Sequence, residues 1–588
     1  MITTHSIPEA AFTTLAAGSG DPAVIRYLRE AQQSKHLMLL HAITEAASGS
    51  SAAASGSAAF RAGYGLLTRV QALDPGASAW LLGLPHLGGW AHDCLIRLDQ
   101  ESTPDLAYFA CAAAAAAVRA GIPFELDLPV RDGCVQLPAL GSLRICDQSP
   151  WVRLCCDGER VTAEGGFEAP WRLLVPDDGS GGPVPQWRGT PMVRAVTDGL
   201  AWDVLLETGD LYLDRYTLPM SIGLSADEIG RWRHRVQSAW EILVHHHRWA
   251  AEPMADGISV IVPLMPQHDT DLVSATTPAA FGAVATSWPP DPVTMAETLV
   301  HEFQHVKLCG LMDMVPLVQP GTEKVYAPWR QDPRPASGLL QGVYAHIGIS
   351  RFWHAQQHAE TDPDDVLRAQ AAFARWRSTI DCAARTLLRT GCLTQAGVRF
   401  VGMIRNQGRD LESESVPGNA QEIASEVALD HWLTWQIRHM AIDAAGVASV
   451  AAAYKRGESF ADQVQPNTWI EEETRKVGRA VRSRLLNMRY LAPARYRELC
   501  ADGTLSLSEA DRLLVSKEAS AAVQAYRDQI AGAADPQPDA WIGLTLALHQ
   551  LPSSPLQMAF ATHLPLIFDV HACLGGRSDP LDLAGWFI

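Results

Sequence analysis

The stretch WPPDPVTMAETLVHEFQHVKLCGLMDM, residues 288–314, decides how this chain is read. Asp291 can cap a helix and Pro292 suits its first turn, so the spacing predicts a helix from about 292 to 312. Within it, His301-Glu302-Phe303-Gln304-His305 places two imidazoles four residues apart. Residues at that spacing share one helical face, so both rings can bind one metal ion. Leu299, Val300 and Val306 surround the motif with apolar side chains.

Two histidines need at least one more protein ligand. His346 sits midway along the next predicted helix, SGLLQGVYAHIGISRFWHAQQ from Ser337, and is favoured. Gly342, one turn earlier, would let another helix come close. Asp313 is the alternative: it lies eight residues after His305, on the same face but about 12 Å along the axis. A further carboxylate is the third option. Glu302 has two readings. In a zinc peptidase this carboxylate is the general base acting on metal-bound water. In an iron oxygenase it orients a ligand, binds substrate or helps hold the metal. Between the two helices, the loop YAPWRQDPRP (326–335) carries Arg330 and Arg334. A guanidinium grips a carboxylate with two prongs, so either can hold the distal carboxylate of a dicarboxylic cosubstrate. The competing reading pairs them with Asp332. Lys307 and Lys324 are expected at the surface. Cys309 is expected as a buried thiol, and Trp329, Tyr344 and Trp353 as core. His245-His246-His247 point in different directions on a helix and make a poor single site.

Working outward, ISVIVPL (258–264) and GAVATSW (282–288) read as strands before the histidine helix, and a substrate peptide could add to their edge. A helix is expected from Ala226 to about His247. Residues 122–220 form a β-rich segment in which FELDLP, SLRICD, WVRLCC and WRLLVP read as strands and DDGSGGP (177–183) as a loop. Helical spacing runs through 8–48, an Ala/Ser/Gly loop covers 46–59, and helices follow at 59–73 and 104–120. The alanine run 112–117 reads as buried helix. Beyond residue 364 the pattern is almost wholly helical. The fold class is therefore α+β, predominantly helical: a helical part (1–121), the β-rich segment (122–220), a zincin-like core around the metal-binding helix (221–450) and a helical C-terminal part (451–588).

Composition limits the function. Of 588 residues, 47% are hydrophobic and 19% charged, which suits a globular chain. A formal charge of −18 argues against nucleic acid as the main partner. The 11 cysteines include no CxxC pair, as expected in a reducing cytosol. The opening MITTHSIPEAAF lacks the basic and apolar regions of a signal peptide, and no uninterrupted apolar run is long enough to span a membrane. A cytoplasmic location is expected.

Several blocks carry a resemblance. They are AETLVHEFQHVKL (296–308), LMDMVPL (311–317), the long YAPWRQDPRPASGLLQGVYAHIGISRFW (326–353) and the opening PEAAFTTLAAGSGDPAVIRYLREAQQSKHLMLLHAI (8–43). LPALG (137–141) and WIGLTLALH (541–549) extend the likeness along most of the chain. The sequence resembles the HExxH-motif peptide-modification proteins that accompany ribosomally made natural-product precursors, the 2-oxoglutarate-dependent HExxH-type peptide β-hydroxylases. The resemblance implies Fe(II) on His301, His305 and a third ligand, with 2-oxoglutarate and O2 as cosubstrates and a ribosomally synthesised precursor peptide as partner. It departs from the common 2-oxoglutarate oxygenases, which place an HxD…H set on a double-stranded β-helix. A zinc metallopeptidase with Glu302 as base, and a binding or maturation factor without chemistry, are the alternatives.

Overall fold

The computed structural model describes residues 5–48, 53–145, 149–175, 184–213, 219–265, 272–478, 481–502, 507–533 and 537–588. The protein is mainly helical with several small sheets, an α+β architecture. Two compact units divide it, residues 1–316 and 317–588. The division falls inside the stretch 221–450 read from sequence as one core. The histidine helix belongs to the first unit, and His346, Arg330 and Arg334 to the second.

The first unit is organised around a five-stranded sheet. Its strands run in the order Ser274–Ala275, Ala283–Thr286, Val260–Pro263, Leu200–Leu206, Met192–Thr197. Val260–Pro263 is parallel to both of its neighbours, whereas the two outer strands are antiparallel. Every residue of Val260–Pro263 and Ala283–Thr286 is buried. Parallel strands covered on both faces read as continuous apolar runs, which is why VIVP and AVAT lack alternation. Helices Ala226–His246, Arg248–Gly257 and Pro292–Met312 pack around this sheet.

The β-rich segment splits into a four-stranded antiparallel sheet and a three-stranded one. Phe124–Pro129 and Trp151–Cys156 pair in the first, and Cys134–Leu137, Gly141–Arg144 and Trp187–Gly189 form the second. WRLLVP is not a strand: Trp171–Leu174 is a 3-10 turn. Its Leu174 is buried; a short apolar run does not by itself distinguish a strand from a turn that packs one residue into the core. The alanine helix Tyr108–Ala120 is buried from Tyr108 to Val118. A Cβ on Gly63 would stand 2.8 Å from the Ala110 Cα, so two small residues set that helix contact.

The long N-terminal pattern breaks into Glu9–Ala16 and Pro22–Ser48, because Gly18 adopts φ 72° between them. The next helix starts at Ser57, and Pro75–Leu82 and Pro85–Asp99 are helices that no periodicity announced. Residues 49–52 of the expected 46–59 loop, and the whole of the expected DDGSGGP loop (177–183), lie outside the described residues.

In the second unit, helices Ala336–Ala359, Pro363–Arg389, Gln395–Ser413 and Gly418–His439 pack together, and the described elements beyond them are helices apart from the antiparallel strand pair Met440–Ile442/Thr468–Ile470 and a short 3-10 turn at Phe460–Asp462. Arg482, 1% exposed, is compensated by Asp430 and Asp511 at 3.4 and 3.2 Å. Among the described residues, no helix is long and apolar enough to cross a membrane.

Candidate metal centre

The histidine helix spans Pro292–Met312, and the Asp291 carboxylate accepts the Thr294 N–H at 2.7 Å as its cap. Between Thr294 and Leu311 only Glu297, His301 and His305 are not fully buried. Those three positions are successive turns of one face, so a single strip of an otherwise enclosed helix carries both motif histidines. Close packing holds the other faces. Gly257 leaves room for the Phe303 ring, which would lie 2.3 Å from a Cβ there.

Lys307 corrects an expectation, since it is 2% exposed rather than at the surface. Its ammonium donates to the Gly18 and Ser19 carbonyls at 3.0 and 3.1 Å, and the Gln304 amide donates to Gly18 as well. A buried ammonium needs such acceptors. They pin the turn between the first two helices to the back of the histidine helix. Lys324 is exposed and paired with Glu472.

The His301 and His305 Nε2 atoms are 3.1 Å apart, with the rings at 75°. Two nitrogens bound to one metal at about 2.0–2.1 Å, subtending roughly 90–109°, are separated by about 2.9–3.4 Å. The pair therefore has the spacing of two vertices of a tetrahedral or octahedral site. Burial first, and then the neighbouring His305, push the His301 pKa down to about 4 against the opposing pull of Glu302. His301 is accordingly neutral at pH 7, the form that a metal ligand requires.

Glu302 is 1% exposed, with one oxygen 3.9 Å from His301 Nε2. Ser274 Oγ donates to its Oε1 and Thr276 Oγ1 to its Oε2, each at 2.6 Å. Side chains two apart on an extended segment point the same way, so the edge strand aims both hydroxyls at the helix. These two donors were missed by sequence reasoning. The S-x-T spacing in VSATTP (273–278) is their only trace, and it carries no meaning until the strand is laid beside the helix.

Asp313 ends the helix and accepts from Gln32 and Lys35, both at 2.8 Å. Cys309 is buried, as expected. His247 is buried, while His245 stands 3.4 Å from Asp198.

In the second unit, His346 is 4% exposed and its Nδ1–H donates to the Gly342 carbonyl at 2.8 Å. That bond fixes the tautomer, leaving Nε2 as the basic nitrogen. The ring stacks on Trp329 at 4.3 Å and lies 4.6 Å from Trp376. The space over Gly342 is filled by the Trp329 indole, 2.3 Å from where a Cβ would stand, and not by a helix. Tyr344 and Trp353 are core; Trp329 is half-buried. Arg330 and Arg334 both bond Asp332, at 2.8 and 3.0 Å, with side chains 54% and 38% exposed. This is the pairing anticipated as their alternative role.

Among the described residues, no group of three or more His, Cys, Asp and Glu side chains is arranged to hold a metal ion. The fit to a metal therefore rests on the two-histidine pair. No protein-family model and no curated protein sequence matches the chain.

Proposed function

We propose that the protein is an Fe(II)/2-oxoglutarate-dependent oxygenase that β-hydroxylates residues of a ribosomally made precursor peptide. The observation that carries a metal-dependent reading is the 3.1 Å separation of the His301 and His305 Nε2 atoms on the one open strip of a buried helix. The choice of oxygenase over hydrolase rests on the sequence resemblance together with the state of Glu302. A peptidase needs that carboxylate to take a proton from water. Here each oxygen already accepts a short hydroxyl hydrogen bond and the group is closed to solvent, which suits a carboxylate held in place beside His301 rather than one that works on water.

We read the mixed sheet and the HExxH helix beside its antiparallel edge strand as a zincin-like core. His301 and His305 would hold the iron. On donor chemistry alone His346 is the third ligand we favour, since its Nδ1–H is already committed to a backbone carbonyl; Asp313 is engaged by Lys35. Iron with 2-oxoglutarate supplies insertion of one oxygen atom of O2 into a C–H bond, the other leaving in succinate as CO2 is released. The chain's part is to bind and orient. Glu302 is held by the edge strand, and the outer side of Ser274–Ala275 offers a backbone edge along which an extended peptide can pair. Arg330 and Arg334 are candidates for the 2-oxoglutarate carboxylate if Asp332 yields to it.

Incubating the iron-loaded protein anaerobically with the peptide encoded beside its gene, then adding 2-oxoglutarate and air, tests the reading by mass. A gain of one oxygen that requires 2-oxoglutarate and His301 is the expected result. Cleavage of the peptide with zinc alone would replace it with the peptidase reading.

A further inference from the structure

The first unit holds a cavity of about 300 Å³ lined by residues of the three-stranded sheet and of the loop after Leu200–Leu206. We propose that this cavity binds a single carboxylate carried on a short aliphatic stem.

Its charges are the first argument. Glu207, 2% exposed, lines the floor but is already answered. Its Oε1 accepts the N–H groups of Thr208, Gly209 and Asp210 at 3.0–3.2 Å, and its Oε2 lies 2.9 Å from His86 Nε2. Arg131 is ion-paired with Asp105. Arg188 donates from Nη2 to the Leu224 carbonyl at 3.0 Å, and among the described residues it has no acidic partner. The cavity thus offers one guanidinium whose remaining donors suit a carboxylate. Asp132, which also lines the cavity, is exposed to solvent, where its charge is screened.

The walls add hydrogen-bonding groups that the fold does not use. Among the described residues, the side chains of Gln136, Ser142 and Thr190 make no hydrogen bond, although Thr190 is 8% exposed and faces the lining. The polar atoms of these side chains are within reach of solvent, and a polar ligand can take the place of water on them. The rim is apolar: Leu211 and Ile222, 60% and 78% exposed, can cover an aliphatic stem. A cavity of this volume is at the small end of ligand sites, matching one side chain or a small acid.

That carboxylate can arrive as a free acid or as an acidic side chain in a peptide. Calorimetric titration with 4-methylpentanoate and with the blocked peptide Ac-Leu-Glu-Leu-NH2 separates these sources. Binding of both assigns a free-acid site, and binding of the peptide alone assigns an acidic side chain with apolar neighbours. In either case the carboxamide analogue should bind at least about tenfold more weakly, and Arg188→Ala should weaken binding by about tenfold or more. Thr190→Val, which keeps the shape, should also weaken it, and both variants should keep the wild-type circular dichroism. His301→Ala should leave binding unchanged, so that failure of the metal reading does not decide this one. The proposal is overturned if neither probe binds below about 10 mM, if the carboxamides bind equally well, or if Arg188→Ala and Thr190→Val bind as wild type.

Discussion

Removing the hydroxyls that hold Glu302 tests the central geometry without any metal. Thr276→Val replaces a donor 2.6 Å from Oε2 by a methyl of the same shape, and Ser274→Ala removes the donor at 2.6 Å from Oε1. A hydrogen bond to a charged group contributes about 1.5–3 kcal/mol, and Glu302 at 1% exposure has little water to replace it. Each single variant should therefore lose about 2 kcal/mol. The pair should lose about 3–4 kcal/mol, short of the sum wherever the carboxylate relaxes toward one remaining partner. Urea unfolding at pH 7, followed by circular dichroism, measures the loss. The same substitutions in a Glu302→Ala background supply the control, because the hydroxyls then have no carboxylate to serve and Thr276→Val should cost little. A cost of Thr276→Val that is equal in both backgrounds, or a double variant within about 0.5 kcal/mol of wild type, would show that the hydroxyls do not hold Glu302.

Four further outcomes are expected. Zinc or cobalt at about a hundred times its dissociation constant should stabilise the wild-type protein by about 2.7 kcal/mol, and His301→Ala and His305→Ala should lose that gain in thermal unfolding. His36 is 2% exposed, donates to the Leu82 carbonyl and has a pKa lowered by burial to about 4. The unfolded chain therefore takes up this proton first, so stability falls between about pH 6.5 and 4, by about 3 kcal/mol for this group; His36→Asn should flatten that limb of the urea midpoint against pH. Glu207→Gln leaves His86, whose pKa the carboxylate raises against the opposing effect of burial, without its buried counter-charge. It should cost about 3–5 kcal/mol in denaturant unfolding. Gly342→Ala would drive a Cβ to 2.3 Å from the Trp329 ring, so it should cost about 1–3 kcal/mol and shift tryptophan fluorescence.

The histidine helix was legible because every local signal agreed: Asp291 caps it, Pro292 opens it, and the apolar spacing persists to Met312. The buried parallel strands were legible as short apolar runs with the wrong periodicity for helix. Two kinds of feature were not. WRLLVP carries strand-like residues, yet Trp171–Leu174 is a 3-10 turn with Leu174 buried, and a short apolar run does not distinguish the two. Lys307 looks like a solvent residue at its position in the sequence, yet the turn at Gly18 brings two carbonyls to its ammonium and makes burial tolerable.

The sequence by itself determined the local elements around the motif and the pairing of His301 with His305, since helical periodicity alone places residues i and i+4 on one face. Only the tertiary structure decided that Ser274 and Thr276 close on Glu302, that Asp313 is engaged by Lys35, and that Arg188 lines a cavity with no acidic partner among the described residues. Those partners are dozens to hundreds of residues apart or belong to different elements. Local propensity acts over a few residues, so their meeting is set by which faces pack and which strand pairs with which.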